Sequence, residues 1–176
     1  MAQGATRALE VLRIADVPHQ VHEYDAGRHR GGHGDRRSGW GEDAAAALGV
    51  DPARVHKTLI ASVDGRLVVA IVPVAAELDL KGLAAAAGGR RAVLADPLEA
   101  QRATGYVLGG ISPLGQRRRL STALDQAAEA WPTIFVSAGR RGLQVELRPA
   151  DLAALTDATI APIAAPRAGA SLPSVK

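Results

Sequence analysis

The sequence contains no cysteine, and its 176 residues include only two Trp, two Tyr and one Phe. The absence of cysteine excludes disulfide bonds, zinc sites with cysteine ligands and catalysis by a protein thiol. The shortage of aromatic residues predicts a core of alanine, leucine and valine, with few bulky side chains from which to build a cofactor pocket. We therefore expect neither a metal nor an organic cofactor.

Long apolar runs are also missing. No run approaches the roughly 18 residues that a helix needs to span a bilayer, and the amino terminus lacks the pattern of a signal peptide. The chain is long enough for one domain that buries roughly 70% of the surface of its unfolded state. These features predict a single-domain cytoplasmic protein that does not contact a membrane.

The formal net charge is only +3, but the positive charges are clustered. The residues from Arg28 to Arg37 include four arginines and one aspartate, and further clusters lie at 90–91, 117–119 and 140–141. Clustered arginines separated by neutral segments are typical of a surface that attracts the phosphates of a nucleic acid. Taken alone, each cluster is also what an ordinary solvated surface would show.

The spacing of apolar residues predicts a series of helices and strands. The strongest local signal is a β-hairpin, in which the apolar runs 57–63 and 66–74 are joined by Asp64-Gly65. Further strands are predicted over 19–25, 91–95, 106–109, 120–124, 133–137, 143–147 and 159–163. Helices are predicted over 6–15, 42–48, 79–87, 96–104 and 149–155, with another beginning at Asp51-Pro52.

This order of elements indicates an α/β protein of the α+β type. A mixed, mostly antiparallel central sheet is expected, because hairpins alternate with helices inserted singly. Residues 26–41 are rich in glycine and arginine and are predicted to form a mobile loop. The segment from Ala165 to Lys176 is rich in Ala, Pro, Gly and Ser, which predicts a flexible tail. The predicted domain therefore comprises residues 1–164.

The most informative segment is a glycine loop, Gly109-Gly110-Ile111-Ser112-Pro113-Leu114-Gly115-Gln116, which three arginines follow. It does not fit a nucleotide-phosphate loop, because no helix begins directly after its glycines. Adjacent glycines can instead bring backbone N–H groups close to a developing oxyanion, although a tight connection between strands is the simpler alternative. Ser112 does not indicate a serine hydrolase, since the sequence has no Gly-x-Ser-x-Gly elbow and no clear His–Asp pair.

Other residues are candidates for binding. Lys57 begins a predicted strand, where its ammonium group either holds a carbonyl or phosphate oxygen at the mouth of a cleft or points to water. His29 and His33 have the spacing of metal ligands on a helix, but they stand among glycines without a carboxylate cluster, so no metal site is expected. Trp40 can stack on a base or fill its own loop.

Several segments in a fixed order carry a resemblance to a known family. They are His56-Lys57-Thr58-Leu59, Ala70-Ile71-Val72-Pro73-Val74, Glu77-Leu78-Asp79-Leu80-Lys81, Ala95-Asp96-Pro97, the segment from Thr104 to Gln116, the segment from Phe135 to Leu143 and Val145-Glu146-Leu147. From Val55 to about Ile163 the chain resembles the YbaK-type aminoacyl-tRNA deacylases, which are relatives of the editing insertion of bacterial prolyl-tRNA synthetases. The resemblance covers well over half of the chain.

The resemblance implies a barrel-like central sheet surrounded by helices, and hydrolysis of cysteine wrongly attached to proline tRNA. Lys57 matches the family's essential lysine, and with Gly109 and Gly110 it is expected to be catalytic. The residues expected to bind substrate are Tyr24, Trp40, Thr58, Ile111, Ser112, Ser137, Gly139 and Gln144. The expected partners are the 3′ end of an aminoacyl-tRNA and prolyl-tRNA synthetase.

The chain departs from the family pattern at two places. Gln144 stands where the family commonly has an acidic residue, which can change the substrate preference or weaken the activity. The stretch from Arg28 to Ser38 is longer and more basic than the usual connection, so the entrance to the site can differ as well.

The resemblance further implies a reaction without a protein nucleophile, in which the thiol of the misattached cysteine attacks its own ester carbonyl. The Lys57 ammonium group would favour the thiolate, and the amides of Gly109 and Gly110 would hold the carbonyl oxygen. Two alternatives remain open. One is hydrolysis by water of another mischarged tRNA, such as alanyl-tRNA, and the other is a non-catalytic module that binds tRNA or a synthetase.

Overall fold

The computed structural model describes residues 4–26 and 39–168. Its helices are α1 (Arg7–Ile14), α2 (Trp40–Leu48), α3 (Leu80–Ala86), α4 (Pro97–Thr104) and α5 (Pro149–Thr156). Its strands are β1 (Gln20–Glu23), β2 (His56–Val63), β3 (Arg66–Pro73), β4 (Ala76–Leu78), β5 (Ala92–Leu94), β6 (Ser121–Asp125), β7 (Ile134–Ser137), β8 (Leu143–Leu147), β9 (Thr159–Ala161) and β10 (Ala164–Pro166). A 3₁₀ turn covers Gln126–Ala130.

Side-chain caps start three of the helices where the sequence predicts them. The carboxylates of Asp79 and Asp96 each accept two backbone N–H bonds from the first turns of α3 and α4. The Thr6 hydroxyl oxygen accepts a hydrogen bond from the Leu9 N–H group of α1 at 3.2 Å. These caps provide partners for N–H groups that have none within the helix, and the three predictions are confirmed.

Five strands form the central sheet in the order β5-β2-β3-β6-β9. Strands β2 and β3 are the predicted hairpin, with Lys57 opposite Val72. Asp64 and Gly65 in its turn have φ values of 48° and 83°, as a two-residue type I′ turn requires. Strand β6 pairs in parallel with both β3 and β9.

Strand β3 is apolar along most of its length because both of its faces are buried. Val69 and Ile71 belong to the core cluster that also contains residues of α1, α4 and α5. Val68, Ala70 and Val72 belong to the cluster on the α3 side. A strand covered on both faces loses the usual alternation of apolar and polar residues, so the central sheet separates two layers of core.

A second sheet of three antiparallel strands, in the order β1-β8-β7, lies beside the start of β2. Val55 forms an isolated parallel bridge with Phe135 of β7, and the Phe135 N–H group donates to the Arg54 carbonyl at 3.0 Å. The same register continues towards Ser137, at the end of β7, which pairs with Gln144 of β8. The bridge therefore brings both of these side chains to the start of β2.

The predicted mixed, mostly antiparallel arrangement is confirmed, since five of the seven strand pairings are antiparallel. A closed barrel is absent from the part of the chain that the structure describes. The central sheet stays open, with the three-residue strands β5 and β9 at its edges, and the second sheet joins it through the Val55–Phe135 bridge. The barrel-like expectation is therefore not confirmed.

The helix expected to begin at Asp51-Pro52 is a turn instead. The Asp51 carboxylate accepts a hydrogen bond from the Ala53 N–H group at 2.8 Å, and the chain enters β2 a few residues later. An aspartate that bonds the backbone two residues on stabilises a turn as readily as a helix start. The sequence signal was correct for the side-chain bond and wrong for the element.

The strand expected over 106–109 is also a turn. The Gly110 N–H group donates to the Val107 carbonyl at 3.0 Å, which closes the backbone on itself. The buried Tyr106 hydroxyl group donates to the Leu114 carbonyl at 2.6 Å, so the glycine loop folds back over this turn. The apolar pattern here reflects burial in a loop and not strand pairing.

One more strand lies at the carboxyl-terminal end of the described residues. Strand β10, over Ala164–Pro166, pairs with β4 in an antiparallel register, so the boundary expected at residue 164 falls inside a strand. The remainder of the expected tail, from residue 169, lies outside the described residues. Most of the expected mobile loop, residues 27–38, lies outside them too.

Asp125 fixes this end of the domain, and its removal is expected to be costly. Its carboxylate is 3% exposed and accepts hydrogen bonds from the N–H groups of Ile163, Ala164 and Ala127. Asp125→Ala leaves these groups without their acceptor and should lower the free energy of unfolding by about 2–4 kcal/mol in urea denaturation. Asp51→Ala, at an exposed turn, is the control, and an equal loss in both variants would contradict the assignment.

Candidate active site

A cavity of about 190 Å³ opens where β2 has no neighbouring strand on one side. Strand β5 pairs with β2 only from Ala61 to Val63, so residues 55–60 border the cavity instead. The other walls are the first turn of α2, the glycine loop, residues of β7 and β8, and the segment from β5 to α4. The volume suits a small group of a ligand better than a whole organic cofactor.

Eight of the eleven predicted site residues line this cavity. They are Tyr24, Trp40, Lys57, Thr58, Gly109, Ile111, Ser137 and Gln144. These residues come from six separate segments of the chain, which the two sheets and the glycine loop bring together. The other three, Gly110, Ser112 and Gly139, are not among the lining residues.

Gly110 does not offer its amide to the cavity. Its N–H group already donates to the Val107 carbonyl. A Cβ atom at Gly110 would lie 2.9 Å from the Arg140 Cα atom, so a glycine is needed where the loop touches the 138–142 turn. The contribution of the Gly110 amide to an oxyanion site stays a prediction, and its hydrogen bond to Val107 argues against it. Gly109, at φ 82°, is the glycine of the pair that lines the cavity.

Ser112 and Gly139 stabilise the walls of the cavity without lining it. Ser112 is fully buried, and its hydroxyl oxygen accepts a hydrogen bond from the Leu114 N–H group at 3.2 Å. Gly139 has a φ of 105°, and its N–H group donates to the Ser137 hydroxyl oxygen at 3.3 Å. Both residues form hydrogen bonds with the loop and the side chain next to them, and their substrate contacts stay a prediction.

Trp40 lies in the first turn of α2 and not in the exposed loop that the sequence suggested. Two acidic residues in that turn favour an earlier helix start. A Cβ atom at Gly109 would lie 2.5 Å from the indole ring, and the Arg141 guanidinium carbon lies 4.5 Å from a ring centroid of Trp40. Arg141 also donates two hydrogen bonds to the Leu108 carbonyl, at 2.7 and 2.9 Å. These contacts hold the glycine loop against α2.

Lys57 is half-buried, and its ammonium group donates to the Ala76 carbonyl at 2.8 Å. Burial, followed by the positive charge of Arg167, lowers the pKa of Lys57 from its ordinary value. The Arg167 guanidinium group is held by the Glu42 carboxylate and by the Val74 carbonyl. Within the described structure one of the three N–H donors of Lys57 is therefore engaged, which leaves two for a ligand.

Three buried side-chain atoms in the described part of the chain have no hydrogen-bond partner. They are His56 Nε2, Thr58 Oγ1 and Gln144 Oε1, and all three residues line the cavity. An unpaired buried polar atom costs about 1–3 kcal/mol, so native proteins carry few of them without a functional reason. Their concentration at one cavity indicates that a polar ligand completes their hydrogen bonds.

His56 is a lining residue that the sequence analysis did not single out. It is 2% exposed, and its Nδ1 atom lies 3.2 Å from the Arg54 carbonyl oxygen. A carbonyl oxygen only accepts, so Nδ1 carries the proton and Nε2 presents a lone pair. Burial lowers the pKa of His56 to about 4, which keeps the ring neutral. The sequence did contain a signal for it. Residues two apart on a strand lie on the same face, so His56 is on the face of the predicted strand that carries Thr58, a predicted site residue.

The buried neutral ring of His56 should make the fold less stable in mild acid. The pKa of this histidine falls from 6.5 to about 4 on folding, so between these pH values the unfolded state binds more protons. The free energy of unfolding therefore decreases as the pH falls from 6.5 to 4, by up to about 3 kcal/mol from this residue.

Chemical denaturation at both ends of this pH range, for the wild type and His56→Phe, isolates the contribution. The variant is expected to lose less stability on acidification than the wild type. His19→Phe is the matched control. The Nδ1 atom of His19 also lies 2.7 Å from the carbonyl oxygen of the residue two positions earlier, Val17, but His19 does not line the cavity. An identical acid response in the wild type and His56→Phe would contradict the assignment.

The cavity combines one ammonium group with neutral hydrogen-bond acceptors. None of the described residues that line it is an aspartate or a glutamate. Over residues 4–26 and 39–168 there is also no group of three or more His, Asp or Glu that could hold a metal ion, while His29 and His33 lie outside these ranges. Among the described helices, none has the length and apolar character needed to cross a membrane.

Sequence comparison identifies the family. The sequence profile of the aminoacyl-tRNA editing domain matches residues 39–155. The chain belongs to this family. An aminoacyl-tRNA editing domain hydrolyses the ester between a tRNA and a wrongly attached amino acid, so the protein is an aminoacyl-tRNA deacylase. The resemblance and the enzyme class expected from the sequence are confirmed.

Two curated relatives of this editing domain are similar to most of the chain or to a large part of it, and one of them has a substrate in its name. EbsC of Enterococcus faecalis is 33% identical over 169 residues, which cover 92% of this chain and 94% of EbsC. It is provisionally named a Cys-tRNA(Pro)/Cys-tRNA(Cys) deacylase. YwhH of Bacillus subtilis, an uncharacterized protein, is 31% identical over 112 residues, which cover 63% of this chain and 71% of YwhH.

Solved structures share the fold of the editing domain. The crystal structure of the hypothetical protein APE2540 superposes with a TM-score of 0.77 at 22% identity, covering 91% of this chain and all of that one. A crystal structure provisionally described as a trans-editing enzyme for prolyl-tRNA synthetase has a TM-score of 0.77 at 23% identity. It covers 94% of this chain and 99% of the other.

Proposed function

We propose that this editing domain hydrolyses cysteinyl-tRNA(Pro) in trans, with the thiol of the substrate as the nucleophile. The observation that carries the proposal is a cavity with an ammonium group and unpaired acceptors but no activated protein nucleophile. The relative EbsC, which aligns over nearly the whole chain, has this substrate in its provisional name.

Among the described residues, the Ser137 and Thr58 hydroxyl groups at the cavity lack the partners that would activate them. The Ser137 hydroxyl oxygen accepts a hydrogen bond from Gly139, and Thr58 Oγ1 has no partner. Within the described structure neither hydroxyl is bonded to a histidine or a carboxylate, which nucleophilic catalysis by such residues requires. A cysteine thiol needs less help, because a pKa of about 8.5 leaves a few per cent as thiolate at neutral pH.

In the proposed reaction the thiolate sulfur bonds to the ester carbonyl carbon, and the bond from that carbon to the ribose oxygen breaks. The ribose oxygen takes up a proton and leaves as the free hydroxyl group of the tRNA. Water then opens the cyclic thioester to give cysteine. The Lys57 ammonium group stabilises the thiolate and the negative charge on the carbonyl oxygen, and the Gly109 amide supports the same oxygen.

The size of the site supports a proposal for the partners of this reaction. A cavity of about 190 Å³ accommodates the aminoacyl group and little more of the tRNA, so the protein binds the 3′ end of the substrate. Selection of proline tRNA then depends on contacts elsewhere. We assign that selection to prolyl-tRNA synthetase, beside which the editing domain acts.

Hydrolysis of alanyl-tRNA by water is the second candidate. Gln144, a neutral residue where the family commonly has an acid, favours it, because the unpaired Oε1 atom can orient a water molecule. This route makes no use of a substrate thiol. The two candidates therefore differ in which ester is hydrolysed.

A deacylation assay on cysteinyl-, alanyl- and prolyl-tRNA(Pro) separates the possibilities. We expect rapid release of cysteine and background release of alanine and proline, measured beside the binding of uncharged tRNA at several salt concentrations. Faster release of alanine than of cysteine would establish the water route. Binding of tRNA without turnover of any ester would show a non-catalytic module and overturn the proposal.

A further inference from the structure

His56 presents a hydrogen-bond acceptor whose orientation is fixed by the backbone. Its Nδ1–H group is engaged with the Arg54 carbonyl oxygen at 3.2 Å, so the ring cannot rotate without losing that bond. The opposite ring atom, Nε2, is buried and has no partner. An acceptor held in this way is set to receive an N–H or O–H group from a ligand in the cavity.

Two further acceptors border the same cavity. Gln144 is 7% exposed and its Oε1 atom has no partner. Thr58 contributes a hydroxyl oxygen that is also unpaired. Three such atoms around one small volume match a ligand group that carries more than one hydrogen donor. An amino group meets this requirement, whereas an ester carbonyl carries no donor at all.

The charges around the cavity favour the neutral form of a ligand amino group over its protonated form. The described lining residues include no carboxylate, while the Lys57 ammonium group lies at the cavity and Arg167 lies close enough to lower the pKa of that lysine. The Glu77 and Glu42 carboxylates act on Lys57 from outside the cavity lining, but burial and Arg167 outweigh them and leave its pKa lowered. A second ammonium group would therefore be repelled by the first without a carboxylate beside it among the described lining residues. A free amine avoids this repulsion and still donates two hydrogen bonds.

We propose that His56, through Nε2 and together with Gln144 Oε1, binds the uncharged α-amino group of the aminoacyl ester and determines which esters enter the site. The inference rests on the proposed function for the identity of the substrate. It assigns His56 as a specificity-determining residue for esters whose α-amine is free. The side-chain thiol is then left to face Lys57.

Binding of two non-hydrolysable analogues tests this assignment. The first is 3′-amino-3′-deoxyadenosine joined by an amide bond to cysteine, and the second carries 3-mercaptopropionic acid, which keeps the thiol and lacks the α-amine. Calorimetry should give about tenfold tighter binding of the cysteine analogue to the wild type, since it alone satisfies the buried acceptors.

Variants at His56 assign the difference to its ring. His56→Phe keeps an aromatic ring without the acceptor and should bind the cysteine analogue about tenfold more weakly, with the mercaptopropionyl analogue unchanged. His56→Gln retains an acceptor near the Nε2 position and should recover part of the loss. His19→Phe, the matched control outside the cavity, should behave as the wild type.

Equal affinity of the wild type for both analogues would overturn the proposal, and so would an equal loss for both analogues in His56→Phe and His56→Gln. The absence of binding of either analogue to the wild type would overturn it as well. Because binding is measured without hydrolysis, a discriminating His56 remains detectable even if cysteinyl-tRNA(Pro) is not turned over. Turnover without discrimination would leave the proposed function standing and remove only this inference.

Discussion

Lys57→Ala is expected to lower kcat/KM for deacylation of cysteinyl-tRNA(Pro) by about 10²–10³-fold, the usual cost of removing one group that stabilises an oxyanion. The ammonium group is half-buried at the cavity, where water screens it less than at the surface. Its loss removes both the partner of the substrate thiolate and a donor to the carbonyl oxygen. Single-turnover rates with saturating enzyme measure the effect on the chemical step.

Lys81→Ala is the matched control for this experiment, because Lys81 is an exposed lysine at the start of α3 and does not line the cavity. We expect it to retain the wild-type rate. Thermal melts of both variants show whether the fold is intact. A rate for Lys57→Ala within a few-fold of the wild type would exclude the catalytic role of the ammonium group.

Seryl-tRNA(Pro) is expected to be deacylated more than about 200-fold more slowly than cysteinyl-tRNA(Pro). A pocket that distinguishes side chains by size alone separates close analogues by roughly 10–200-fold. Serine and cysteine are nearly the same size, so a larger ratio requires chemistry. A few per cent of a thiol is ionised at neutral pH, whereas a hydroxyl group is not.

The comparison requires the same tRNA charged with either amino acid and the same enzyme preparation. The spontaneous rate of each ester is subtracted first. The pH dependence adds a second readout, since the cysteine rate should rise as the thiol ionises and the serine rate should not follow it. Similar rates for the two esters would rule out assistance by the substrate thiol and favour water as the nucleophile.

Local chemistry accounts for the parts of the fold that the sequence predicts well. The Asp64-Gly65 turn and the caps at Asp79 and Asp96 depend on residues within three positions of one another. Such signals are visible in any short window of sequence. The open central sheet was not predicted, because pairing of β6 with β3 and β9 is decided by packing across the whole domain.

The candidate site, like the fold, combines features that the sequence predicts with features that only the folded chain shows. Lys57, Thr58 and Ser137, which the family resemblance marks as site residues, all line the cavity. The hydrogen bond of the Gly110 N–H group to Val107 and its contact with Arg140 could not be predicted, because neither can be read from sequence. His56 shares a face of the predicted strand with Thr58, but it was missed because that pattern does not show its burial or its unpaired atom, which are properties of the folded chain.

The pairing of β10 with β4 limits how far the carboxyl terminus can be truncated without changing the surroundings of Lys57. Arg167, immediately after β10, anchors to Glu42 of α2 and to the Val74 carbonyl, and its charge makes the nearby lysine more acidic. Truncation after Ile163 would therefore remove a positive neighbour of Lys57 as well as a strand. A fragment that keeps this strand pairing and the positive neighbour of Lys57 extends at least through Arg167.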